Sequence, residues 1–225
     1  MATEVDLCNL ALASLGDRAT VSSINPPEGS IQAEHCARFY PIARDSLLEM
    51  HTWGFSTRRV QLAQVTNSWS QWLYAYVQPV DALNLIEILD PTVLDDYSAT
   101  LQQYTNPAYS TVVLPTQVGG YVPQPFTCEV DAAGNQLILC NVANAELRYS
   151  AQVSDTTSFS PLFINTLVCH LASMLAGPVI KGEAGAAESK RCMAMMQFYL
   201  EQAEESDANQ RKIAPQHKVA WIGGR

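Results

Sequence analysis

The sequence is poor in the features that usually announce chemistry. Charged residues fill only 16% of its 225 positions, and the balance is acidic, 22 Asp and Glu against 13 Lys and Arg, for a net charge of −9. An acidic chain is ill suited to wrapping nucleic acid, whose affinity for protein comes largely from neutralised phosphates, although DNA can pass beside it without sticking. No stretch approaches the roughly 20 unbroken apolar residues of a membrane helix. The longest run, residues 162–176, is interrupted by Asn165, Thr166, His170 and Ser173. The opening MATEVDLCNLALASLG has neither the basic start nor the cleavage site of a secretion signal, which implies a protein made and kept in the cytoplasm and placed in no membrane. His-Glu-x-x-His, paired-cysteine and calcium-loop spacings are missing, and Gly119-Gly120 and Gly223-Gly224 lack the lysine or following helix of a phosphate site, so no metal or cofactor is expected.

What is present is an ordinary globular composition, 48% apolar, long enough for one large domain or two small ones. The six cysteines, Cys8, Cys36, Cys128, Cys140, Cys169 and Cys192, read as buried free thiols of a reducing compartment. Cys128 and Cys140 fall in two strands expected to pair, which makes a cross-strand contact possible there.

Thr3 can cap a first helix, with Glu4 and Asp6 at its positive end. Leu7, Leu10, Ala11, Ser14 and Leu15 then mark one buried stripe, and Gly16 stops it. The segment ATVSSINPPEGS is a loop. A second helix begins near Ser30 and runs through Met50, with Cys36, Phe39, Tyr40, Ala43, Leu47 and Met50 inward. Pro41 predicts a kink, because proline lacks the N–H for the helical bond.

Strand-like pieces follow at residues 60–65, 72–77, 84–89, 111–114, 126–130, 136–140 and 146–152. Asp131-Ala132-Ala133-Gly134-Asn135 is the turn of a hairpin. Residues 90–124 are the least regular. Helices return at Ser160, a cap followed by Pro161 at the first helical position, with Leu162, Leu167, Leu171, Met174 and Leu175 as core and Gly177-Pro178 as the end. A last helix spans about residues 183–207, with Cys192, Met195, Met196, Tyr199 and Ala203 on one face. The expected fold is therefore α+β: an antiparallel bundle of two N-terminal and two C-terminal helices (residues 1–54 and 155–207), a β-rich inserted lobe (55–154) and an extended C-terminal arm (208–225).

Reactive candidates are few. His170 is flanked by Cys169, and His35 by Cys36, but neighbours on a helix point about 100° apart and do not face each other. The aromatic residues Trp53, Trp69, Trp72, Tyr74, Tyr76, Tyr97, Tyr104, Tyr109 and Tyr121 concentrate in and around the β region. Of these, Tyr97, Tyr104, Tyr109 and Tyr121 sit in Pro/Gln/Thr-rich segments and read as interface residues. The arm has no core of its own. It carries Arg211, Lys212, Lys218 and Arg225 without an acid, so it holds +4 against −13 elsewhere, and it also carries Trp221 and Ile222, which suggests docking on a partner.

Three stretches carry a likeness. The first is Val5-Asp6-Leu7-Cys8-Asn9-Leu10-Ala11-Leu12-Ala13-Ser14-Leu15-Gly16-Asp17 with Pro27-Glu28-Gly29-Ser30, Ala33, Cys36, Tyr40-Pro41, Arg44, Leu47-Leu48 and Trp53-Gly54-Phe55. The second is Tyr74-Ala75-Tyr76 with Pro79 and Asp81-Ala82-Leu83. The third is Leu147-Arg148-Tyr149, Phe159, Pro161-Leu162-Phe163 and Leu171-Ala172. Together they resemble the head-to-tail adaptors of podoviruses, the tail tubular protein A family. The resemblance implies a non-enzymatic structural virion protein: a helical bundle with a β lobe, assembled as a twelve-fold ring between the portal protein and the tail nozzle. Such a ring continues the channel through which double-stranded DNA passes without specific binding. It further implies assembly in the host cytoplasm and residence in the neck of the virion, with the arm reaching the portal. The alternatives are a tail-completion or assembly factor, and, further off, a hydrolase using Cys169 or Cys36.

Overall fold

The structure, a computed structural model, describes residues 2–18, 20–91 and 124–210. Among them are four α-helices and seven strands: α1 (Glu4–Ser14), α2 (Ile31–Met50), β1 (Thr57–Gln61), β2 (Gln64–Val65), β3 (Tyr74–Val77), β4 (Ala82–Leu89), β5 (Phe126–Val130), β6 (Gln136–Cys140), β7 (Glu146–Ala151), α3 (Pro161–Ile180) and α4 (Gly182–Ala208). The fold is α+β. The chain forms two compact units. One contains the residues up to Thr57 and those from Ser150 to the end of α4, and the other contains residues 58–149.

In the helical unit the caps follow the expected chemistry. The Thr3 hydroxyl accepts from the Asp6 N–H at 3.2 Å while the Asp6 carboxylate accepts from the Thr3 N–H at 2.8 Å, and these bonds hold the Asp6 carboxyl below its usual value. Ser30 and Ser160 cap α2 and α3 through the Ala33 and Phe163 N–H groups, each at 3.2 Å. The loop after α1 is irregular but fastened. Asn9 takes the Val21 N–H and gives its amide to the Val21 carbonyl, and Glu28 accepts from the backbone and hydroxyl of Ser22 and from the Ser30 hydroxyl.

Several expectations give way to packing. The buried side of α1 is Leu7, Cys8, Ala11 and Leu12, whereas Leu10 and Ser14 are exposed. The helix packs on α3 and lies against α2, where Cys8 meets Cys36, and those two neighbours turn its stripe. α2 runs through Pro41 without a restart; Met50 at its end is exposed, and Arg44 is buried in the place of an apolar residue. α3 does not stop at Gly177-Pro178 but continues to Ile180, and the chain reverses at Lys181, whose φ of +62° is uncommon for a side-chain-bearing residue. Leu162 and Met174 are only half-buried, and the core of α3 includes Phe163, Leu167, Leu171, Leu175 and the polar Thr166, His170 and Ser173. Met195 of α4 is exposed, and Cys192, Met196 and Ala203 are the buried ones.

α3 is the hub, packed against α1, α2 and α4. By length and composition alone it could cross a membrane, but half of its apolar window is buried inside the unit. It runs antiparallel to α4: Ser189 of α4 donates to the Ser173 carbonyl at 2.8 Å, and one turn closer to the reversal Gly185 lies against Ala176. A Cβ on Gly185 would stand 2.8 Å from the Ala176 carbonyl oxygen, closer than packed atoms come.

In the β unit, the stretch expected to be one strand at residues 60–65 breaks at Leu62-Ala63 and serves two sheets. β1 lies in a sheet of order β1-β7-β4, and β2 in an antiparallel sheet of order β2-β3-β6-β5. The break is held from both sides, Leu62 N–H donating to the Ala145 carbonyl and Val77 N–H to the Ala63 carbonyl, each at 3.0 Å. The hairpin β5–β6 forms as expected. Gly134 sits at φ +86°, and the Asp131 carboxylate takes three hydrogen bonds, from Ala133 and from the backbone and side chain of Asn135, each at 2.8 Å. Its register sets Cys128 opposite Ile138 and Cys140 opposite Phe126; the two thiols are free, Cys128 exposed and Cys140 buried. The piece expected at residues 111–114 lies outside the described residues.

The contact between α3 and α4 gives opposite expectations for two glycines. Gly185→Ala gains helix propensity but drives a methyl into backbone, so it should destabilise by about 1–3 kcal/mol. Gly177→Ala, with nothing within 4 Å of its added Cβ, should stabilise by about 0.5–1 kcal/mol. Urea unfolding of both variants checks the pair.

Candidate functional site

The residues expected to meet partners, Arg211, Lys212, Lys218, Trp221 and Ile222 of the arm and Tyr97, Tyr104, Tyr109 and Tyr121 of the insertion, lie outside the described residues. Of the other aromatic residues noted in the sequence, Trp53 and Tyr76 are buried, while Trp69, Trp72 and Tyr74 are half-buried.

Among the described residues no group of three or more His, Cys, Asp and Glu is placed to hold a metal ion. The partner of His170 is not Cys169 but Ser46 of α2, 124 residues away, whose Oγ lies 3.0 Å from the ring Nε2. Ser46 spends its own proton on the Ala43 carbonyl at 3.0 Å, so its oxygen is left to accept from the ring. Nδ1 is buried and has no hydrogen-bond partner, and no carboxylate orients the ring as a catalytic base would require. Sequence alone could not have found this pair, because nothing local links positions 46 and 170. The thiols are similarly subdued. Cys36 and Cys8 are both fully buried and face each other; the contact with Cys36 and then burial raise the Cys8 thiol. Burial also raises Cys169, which is half-buried, and Cys192. Thiolates, the nucleophilic form, are disfavoured at Cys8, Cys169 and Cys192, whereas the contact with Cys8 lowers the Cys36 thiol.

Each unit carries a cleft. In the β unit a cleft of about 860 Å³ runs beside Trp69, Val77 and Leu137, with Gln64 and Asn135 at its side. Its Asp131 is already committed to the hairpin turn. In the helical unit a cleft of about 520 Å³ is lined by Glu4, Pro27, Ala37, Tyr40, Pro41 and Arg44, among others. Here Arg44, 7% exposed, gives Nε to Asp45 at 2.7 Å, has Nη1 3.7 Å from Glu4, and lies over the Tyr40 ring at 5.9 Å. The Tyr40 hydroxyl is buried without a hydrogen-bond partner. Burial, and next the negative charge of Glu4, raise the phenol above its ordinary value, so it remains a donor.

The outer surface supplies the rest. α4 has 27 residues, about 40 Å at 1.5 Å per residue, and its main packing is on α3. Away from α3 it exposes Met193, Met195 and Phe198, the last 58% exposed. On the β unit Leu73, Val80 and Val130 are exposed. No protein-family model matches the chain, and no curated protein matches it.

His170 gives this region a pH dependence. Burial holds the imidazole below its ordinary value near 6.5, so on acidification the unfolded chain takes up its proton first. The contribution is complete above pH 6.5 and is lost as pH falls from there toward the folded-state value. Denaturant unfolding from pH 7.5 to 5.5 should show the wild type losing stability and His170→Gln losing less. Identical slopes would contradict the assignment.

Proposed function

We propose that the chain is a structural virion protein, the head-to-tail adaptor that joins the portal to the tail nozzle of a short-tailed phage and continues the DNA channel. The observation that carries this reading is the state of α4: a helix about 40 Å long that packs mainly on α3 and leaves Met193, Met195 and Phe198 uncovered. A ring closed by rotation needs such lateral, head-to-tail surfaces. In this reading the four helices form the ring-building bundle, the β unit is its inserted lobe, and the arm with Arg211, Lys212, Lys218, Trp221 and Ile222 docks on the portal. Tyr97, Tyr104, Tyr109 and Tyr121 are loop contacts.

Further support comes from where the likeness to podovirus adaptors falls. Trp53 and Phe55 of its first stretch pack with Phe159 and Phe163 of its third. Asp81 of its second accepts from the Tyr149 hydroxyl of its third at 3.1 Å. These residues do structural work, which suits a likeness of fold. The acidic body suits a channel that must let DNA slide. A raised Cys169 thiol and a histidine bonded to Ser46 give a hydrolase built on Cys169 little to work with, and Cys36, whose thiol is lowered by Cys8, is sealed in the core at 0% exposure.

Electron microscopy of the purified full chain mixed with portal should show a closed ring, twelve-fold, seated on the portal. A chain that stays monomeric beside portal would overturn the reading. A chain that assembles yet is missing from purified virions by mass spectrometry would be an assembly factor instead. Deleting residues 208–225 should leave a folded protein that no longer docks; docking at wild-type affinity would refute the role given to the arm.

A further inference from the structure

The hairpin of α3 and α4 is closely packed, and its register can be followed from one residue pair to the next. Ala176 faces Gly185, whose added Cβ would stand 2.8 Å from the Ala176 carbonyl oxygen. Ser173 faces Ser189, whose hydroxyl donates to the Ser173 carbonyl at 2.8 Å. Away from the reversal, the next position on the same stripe of α3 is four residues back, at Cys169, and the next on α4 is three residues on, at Cys192. The two cysteines therefore stand opposite each other, one turn beyond a place where the backbones nearly touch. Their electrostatics agrees. Burial raises both thiols, Cys192 is the next cause of the rise at Cys169, and the Arg191 guanidinium opposes the rise at both, so these groups share one neighbourhood.

A disulfide needs Cα atoms about 4.4–6.8 Å apart, whereas helix axes usually lie about 8–10 Å apart, so helices meet that need where small residues face each other. Ala176, Ser173, Gly185 and Ser189 are such residues. Access is uneven in a way that suits stepwise oxidation. Cys169 is half-buried and keeps part of its surface in solvent, while Cys192 is 3% exposed with Sγ 4.0 Å from the Glu188 carboxylate. Only the first has to meet an outside reagent. The other facing pair, Cys8 with Cys36, is 0% exposed at both positions, which shuts a reagent out of the folded chain. Cys128 is exposed, but it stands opposite Ile138 rather than Cys140.

We propose that Cys169 and Cys192 are a reversible disulfide site that fastens α4 to α3, oxidised by a small-molecule disulfide. The Cys169 thiolate attacks one sulfur of the small disulfide, forming a mixed disulfide and releasing one small thiolate. The Cys192 thiolate then attacks Sγ of Cys169, closing the bond between the helices and releasing the second. Each released thiolate takes up the proton given by a cysteine, so the pair loses two hydrogens with their electrons and the small disulfide is reduced to two thiols. The site uses no ring interface, so it goes beyond the adaptor reading and can fail separately from it.

The test treats the folded full chain with oxidised glutathione at about pH 8.5, where raised thiols ionise more readily, and maps the products by peptide mass. Expected is a cross-linked pair of peptides joining Cys169 to Cys192, about 2 Da lighter than the two peptides together. The oxidised chain should melt about 5–10 °C higher than the reduced one, and dithiothreitol should reverse the change. Exposed Cys128 should carry a glutathione adduct and so reports that the reagent is active. Cys192→Ser should halt the reaction at a glutathione adduct on Cys169, and Cys169→Ser should leave Cys192 unmodified. The wild-type map decides the matter even where a variant fails to fold. Glutathione retained on wild-type Cys169, a cross-link joining Cys8 to Cys36 instead, a lowered melting point on oxidation, or two free thiols once Cys128 has reacted would each overturn the proposal.

Discussion

The structure of the helical unit depends on closing it around an insertion. The chain leaves after α2 and comes back before α3, and both crossings must be sealed at one place. Trp53 and Phe55 on the outgoing side meet Phe159 and Phe163 on the returning side, with ring centroids 5.0–5.6 Å apart. Such pairs contribute about 0.5–1.5 kcal/mol each beyond the area they bury. The polar edges are met as well. The Trp53 indole donates to the Leu47 carbonyl at 2.8 Å, Ala151 N–H donates to the Ser56 carbonyl at 2.9 Å, and the Gly54 N–H reaches both oxygens of Asp207 at 3.1 Å. Because Asp207 stands at the far end of α4, the last helix is fastened to the same crossing.

From that seal α3 runs inward, and its composition explains its place. It is apolar enough to pass as a membrane helix, yet it carries Thr166, His170 and Ser173 on buried turns. Thr166 donates to the Leu162 carbonyl, Ser173 donates to the His170 carbonyl, and His170 meets Ser46 through Nε2 while its Nδ1 stays unpaired. The His170–Ser46 contact joins two helices and so constrains which faces meet, whereas the Thr166 and Ser173 bonds lie within α3. The approach of α4 at Gly185 is tight as well: Ser189 can reach the Ser173 carbonyl only when the two backbones are close.

A molecule built like this spends its polar chemistry on holding shape. Several of the described polar side chains, Asp6, Glu28, Asp131 and Ser173 among them, are engaged in caps, turns and helix contacts. The cleft beside Arg44 is lined by four residues that carry the likeness to podovirus adaptors, Pro27, Tyr40, Pro41 and Arg44.

The sequence by itself determined the local features. Thr3, Ser30 and Ser160 announce helix starts because a hydroxyl one step before a helix has a defined bond to make, and Gly134 announces the hairpin because its turn needs a positive φ. The order helix, strands, helix followed from changes of period. Only the tertiary structure decided which way each helix faces, since a stripe such as Leu7, Leu10 and Ser14 is indistinguishable from Leu7, Cys8 and Leu12 until α2 and α3 are in place. It also decided that Gly177-Pro178 would not end α3, that one predicted strand would serve two sheets, and that His170 would meet Ser46. Those outcomes depend on contacts between residues distant in the chain, or on a helix's neighbours, and local spacing carries no record of either.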